Sequence, residues 1–69
     1  MTNEEAKAAM LDRRPVEHDG IIYDRITAIS YRLKKDNVIL ICAELYDKSG
    51  HSVTVAPIKH INAVGGNHD

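Results

Sequence analysis

The residues of this chain best suited to chemistry are its four histidines, His18, His51, His60 and His68, its one cysteine, Cys42, and a scatter of carboxylates. A metal site needs ligands that converge. No two of the histidines stand at i, i+4 on a helical stretch or at the cysteine and histidine spacings of a zinc module. They fall at turn boundaries, so they read as surface side chains, and no metal or other cofactor is expected. Cys42 would be a nucleophile only beside a base that draws off its proton. It lies within Leu40-Ile41-Cys42-Ala43, an apolar run in which a thiol acts as a small filler. Glu17, Asp24, Glu44, Asp36 and Asp47 divide between strand stretches and turns, and a chain of 69 residues has little room for the walled cleft that raises a carboxylate pKa. A glycine-rich phosphate loop is missing, and Ser30, Ser49 and Ser52 have no nucleophile elbow around them. These patterns supply no catalytic residue, no metal ligand and no small-molecule substrate, so a non-enzymatic role is expected.

One set of side chains suits binding rather than catalysis. Arg25, Arg32, Lys34 and Lys35, with Tyr31 as an aromatic platform, could form a nucleic-acid face if a bend in the strand brought Arg25 and Arg32 to one side, with Lys59, Tyr23 and Tyr46 in support. The net charge of −1, the interspersed signs and the lack of Phe and Trp weigh against this reading. Nucleic acid is therefore the alternative partner. Without tryptophan, recognition of proline-rich peptides is weak as well.

Sixty-nine residues make a single domain, near the size at which a chain buries only about 60% of the surface it exposes when unfolded. A core of that size rarely supplies more than ~3–5 kcal/mol, and a disulfide, a metal or a partner chain is often added. A lone cysteine excludes an intrachain disulfide and suits a reducing cytoplasm. Self-association is the remaining reinforcement. No basic-then-apolar leader and no membrane-length apolar run occur, so a soluble, cytoplasmic protein without a membrane role is expected.

The elements follow from short-range signals. Thr2 and Glu5 fit a capping box, which starts a helix over about 3–12 whose Ala6, Ala9 and Met10 share a face. Arg13 and Arg14 suit its last turn, and Pro15 ends it. Pro15-Val16-Glu17-His18 reads as a short edge strand, and Asp19-Gly20 as a hairpin turn into one long strand from Ile21 to Leu33. The apolar parity of that strand shifts, which predicts a bulge or bend near Ala28–Ile29.

The return arm from Val38 to Tyr46 is apolar on both parities. One face fills the core. The other, Val38, Leu40 and Cys42, must lie under the helix or against a second copy, and is the candidate self-association face. Asp47-Lys48-Ser49-Gly50 predicts a turn with positive φ at the glycine, and His51–Ala56 a strand with Val53 and Val55 inward and Ser52 and Thr54 outward. A 3₁₀ turn at Pro57–His60, a closing strand at Ile61–Val64 and a loose tail over 65–69 complete the chain.

That order, two hairpins, a strand, a 3₁₀ turn and a short closing strand, resembles the SH3-like small barrel over about 15–64. Within that class the chain is similar to short uncharacterised prophage-associated proteins of Gram-positive bacteria. The similarity rests on Arg14-Pro15-Val16, on Gly20-Ile21 leading to Tyr23, and on Ile29-Ser30-Tyr31-Arg32. It continues in Glu44-Leu45 with Asp47-Lys48, and in Gly50-His51-Ser52-Val53-Thr54-Val55-Ala56. The resemblance implies a five-stranded antiparallel barrel behind a short helix and brings no activity with it. The function expected is a protein-interaction or structural accessory module that binds a protein partner or a second copy of itself as a homodimer.

Overall fold

The structure, a computed structural model, describes residues 1–64; the tail over 65–69 and His68 lie outside the described residues. The Thr2 hydroxyl accepts from the Glu5 N–H at 3.1 Å, and the Glu5 carboxylate accepts from the Thr2 N–H at 2.8 Å. This closes the expected capping box and opens helix α1, Asn3–Leu11. The helix stops one residue short of the expected limit, and both arginines lie beyond it. Arg13 adopts φ 54°, its N–H donates to Met10 O at 3.2 Å, and the Arg14 N–H donates to Ala9 O at 3.0 Å. These bonds form a Schellman ending with an arginine where glycine is usual.

Six strands follow where five were expected: β1 Val16–His18, β2 Ile21–Tyr23, β3 Arg25–Leu33, β4 Ile39–Asp47, β5 Ser52–Pro57 and β6 Asn62–Ala63, with a 3₁₀ turn at Ile58–His60 before β6. The extra strand arises because the long first arm breaks at Asp24. That residue leaves the ladder to donate its N–H to Tyr46 O at 2.9 Å, while its carboxylate accepts from the Lys48 N–H at 2.9 Å. A second interruption lies at Thr27, where the register of β3 on β4 slips between Ile26 and Ala28, one residue before the predicted bend. With each interruption the inward parity switches, so Tyr23, Ile26 and Ile29 all face the interior despite their odd spacing.

The strands form two antiparallel sheets of three, β2-β1-β6 and β3-β4-β5. Among the described residues no strand ladder joins one sheet to the other, so the expected barrel is not closed by hydrogen bonds. Strand β1 is central rather than an edge, because β6 returns to pair with it. Pro15 is no obstacle, since it precedes the strand. The Asp19-Gly20 turn behaves as expected, with φ 58° and 81° and His18 opposite Ile21, the two-residue geometry that suits strand twist.

The other turn departs from expectation. Positive φ falls on His51 at 51°, not on Gly50. Gly50 is constrained by space instead: a Cβ there would sit 3.0 Å from Oδ2 of Asp47, whose other oxygen accepts from the Ser49 N–H, the Ser49 hydroxyl and the Gly50 N–H. Those bonds, the Ser49 hydroxyl first, hold the Asp47 carboxyl below its ordinary pKa.

The core is Ala6 and Ala9 of the helix, Val16, Tyr23, Ile26, Ala43, Leu45, Ala56, Ile58 and Ile61. The helix lies against the face of the β3-β4-β5 sheet that carries Ile29, Ala43 and Leu45. The Met1 amine donates to the carbonyls of Ile58 and Ile61, each at 2.9 Å, and ties the helix to the 3₁₀ turn.

Left-handed backbone costs a residue with a Cβ roughly 1–2 kcal/mol, and glycine avoids that cost while losing more entropy on folding. Arg13→Gly is expected to raise the melting temperature by roughly 2–8 °C. A thermal melt of the variant at or below the wild-type temperature would show that the Arg13 side chain stabilises the junction.

Candidate interaction face

Leu45 pairs with Thr54 and Ala43 with Ala56, so Thr54 and Ala56 share the inward face with them. Val53 and Val55 therefore point outward, the reverse of what alternation in hydrophobicity predicted, and are 54% and 50% exposed. The core side of that sheet is taken by small residues instead: Ala43 and Ala56 are fully or almost fully buried there, in one cluster with Ala6 and Ala9 of the helix, which packs mainly on β3. A valine at the Ala56 position would overfill that core.

The outer face of the same sheet can be laid out from the register. Arg32, Ser30, Ala28 and Arg25 run along β3; Leu40, Cys42, Glu44 and Tyr46 lie beside them on β4; Pro57, Val55 and Val53 line β5. No described element lies over this face. Leu40 and Tyr46 are half-buried, and Cys42 is only 4% exposed because it is short and lies between Ser30 and Pro57 at the floor. Of the candidate self-association residues, Leu40 and Cys42 thus share the face the helix leaves bare, and Val38 stands exposed just before β4. Sequence reasoning missed Tyr46, Val53 and Val55 as members. The small residues at positions 6, 9, 43 and 56 were the signal that could have assigned the faces.

The bulge at Thr27 brings Arg25 and Arg32 to one face although they have opposite parity. The Arg25 guanidinium lies over the Tyr46 ring, 5.3 Å from its centroid. Tyr31 lies on the other face, where its hydroxyl donates to Asn3 Oδ1 at 3.1 Å, and Tyr23 is buried. Lys34 and Lys35 belong to the β3–β4 turn, in which Asn37 takes φ 59°. The candidate nucleic-acid set is therefore divided among two faces and a turn.

Among the described residues, no three His, Cys, Asp or Glu side chains come together as ion ligands. His18 Nδ1 lies 3.0 Å from His60 O, His51 occupies its turn, and His60 is exposed on the 3₁₀ turn. Open grooves of about 540 and 340 Å³ flank Met1, the first between α1 and β6 with only Glu5 and Arg14 as charged side chains in its lining. No helix among the described residues is long and apolar enough to cross a membrane. No family model matches the chain, nor does any curated protein or solved structure.

On the other sheet, Glu17 of β1 acts as a clamp. Its carboxylate accepts from Asn62 Nδ2 at 2.9 Å and from the Gly20 N–H at 2.6 Å, linking β6 to the first hairpin turn. The Asn62 bond, then the Gly20 bond, hold its pKa below the ordinary value. A lowered folded pKa means that this contribution is complete above the unfolded carboxyl value and is lost as pH falls through the lowered one. Glu17→Gln is expected to shrink the drop in melting temperature between neutral pH and about pH 3. An unchanged drop would show that the clamp does not titrate with folding.

Proposed function

We propose that this chain is a non-enzymatic protein-interaction module of SH3-like architecture, and that it associates with a second copy of itself through the apolar outer side of β3-β4-β5. The observation that carries the reading is the bare apolar surface of Leu40, Tyr46, Val53 and Val55 in a 69-residue chain whose helix is committed to the opposite side. The SH3-like part is supported by strand order. If β2 and β3 are counted as one long strand interrupted at Asp24, five strands remain, with the 3₁₀ turn before the last and that last strand returning to β1. A cytoplasmic setting keeps Cys42 reduced. An accessory role of this kind suits the similarity to short prophage-associated proteins.

Two features favour protein over nucleic acid as the occupant. Arg25 is already engaged by Tyr46, and Glu44 lies in the middle of the face between the ends that Arg25 and Arg32 occupy.

Sedimentation velocity across micromolar to millimolar concentrations tests the proposal. The weight-average mass is expected to rise reversibly toward that of a dimer, and Val53→Asp, on the outer side of β5, to weaken the rise. A mass that stays monomeric throughout, together with a mobility shift on labelled oligonucleotides at low salt, would replace this reading with the nucleic-acid one.

A further inference from the structure

Resting on that reading, we infer that the second copy joins along the free edge of β5, where the two strands run antiparallel around Thr54 and fuse two three-stranded sheets into one of six. The direction of the main-chain groups follows from the turn. The Lys34 N–H donates to Val38 O at 2.8 Å, which makes that pair a hydrogen-bonded one. Alternation along β4 then directs Leu40, Cys42, Glu44 and Tyr46 toward β3, and Ala43, Leu45 and Asp47 toward β5. The acceptance by Tyr46 O from the Asp24 N–H agrees. On β5, Ser52, Thr54 and Ala56 therefore bond back to β4, and the N–H and C=O of Val53 and Val55 face outward, with no strand beyond them among the described residues.

Short of Pro57, this edge lacks the devices that normally prevent pairing. From Ser52 to Ala56 it carries no charge and no bulge, and its exposed side chains are Ser52 and the β-branched Val53 and Val55. The other edge of the same sheet, β3, has a bulge at Thr27 and arginines at both ends. Pro57 falls at an outward position, so its missing N–H costs β5 nothing internally.

The edge is complementary to itself. Placing Val53 opposite Val55 of the other copy, and Val55 opposite its Val53, uses every outward valine N–H and C=O in hydrogen-bonded pairs about a two-fold axis at Thr54. Centring on Val55 instead would set the Val53 carbonyls against Pro57, which has no N–H to offer. In the Thr54 register the valines of both copies meet on the outer face, so the pairing also covers half-exposed apolar surface and joins the two outer faces into one.

Two variants read this register. Thr54 and its counterpart would form a non-hydrogen-bonded pair with Cα atoms about 4.5 Å apart, within disulfide range. Under mild oxidation, Thr54→Cys in a Cys42→Ala background is expected to give a covalent dimer, and Ser52→Cys in the same background is not. Val55→Pro removes an outward N–H, with no loss to the β4–β5 ladder, and is expected to weaken dimerisation by about tenfold or more. Val55→Lys, at a side chain already half-exposed, reads the same loss if the proline variant does not fold by circular dichroism.

A wild type that dimerises while Thr54→Cys stays uncrosslinked and both Val55 variants dimerise normally would overturn the edge pairing and leave docking through the outer face standing. A wild type that remains monomeric at every concentration would overturn both.

Discussion

A nine-residue helix can cover only one side of a three-stranded sheet, and that limit governs the molecule. Strand β4 is apolar on both parities, so whichever side α1 takes, the other keeps apolar side chains with no described element over them. The helix takes the side of Ala43 and Leu45, which is also the side on which Val16 and Tyr23 of the second sheet, with Ile61 just before β6, close the core. What remains outside is a patterned surface with arginines along one margin and valines along the other.

Small residues line the core side. Ala6 and Ala9 of the helix and Ala43 and Ala56 of the sheet are buried in one cluster, and the larger β-branched residues of β5 lie on the outside. The exposure of Val53 and Val55 is therefore a consequence of tight packing on the opposite face. The same arrangement turns the free main-chain groups of β5 into an uncharged edge, so the packing of the core and the capacity to associate have one origin.

Local signals were legible in the sequence wherever a few residues settle the backbone among themselves. The Thr2–Glu5 box, the Asp19-Gly20 turn, the 3₁₀ turn after Pro57 and the irregularity within the long strand all belong to this kind. Features decided by distant partners were not legible. Alternation in β5 assigns the valines inward on hydrophobicity alone, yet the inward side of that strand is taken by Thr54 and Ala56, which pair with the buried Leu45 and Ala43. Strand β1 reads as an edge until β6 returns from more than forty residues away to pair with it. Asp24 breaks the long strand because the turn at Lys48 needs its carboxylate. The candidate set of Arg25, Arg32 and Tyr31 was partly legible for the same reason: the bulge unites the arginines, and the helix, through Asn3, holds the tyrosine on the other side.

Association would also bear on stability, since a domain this small has one thin core and no covalent staple. Pairing two sheets edge to edge adds ladder bonds without asking the monomer to change shape. The most direct test is native amide hydrogen exchange of β5 followed residue by residue at low and high protein concentration. Protection at Val53 and Val55 is expected to grow with concentration while Thr54 and Ala56, bonded to β4, are protected throughout. Rapid exchange at Val53 and Val55 that does not change with concentration would contradict the edge pairing.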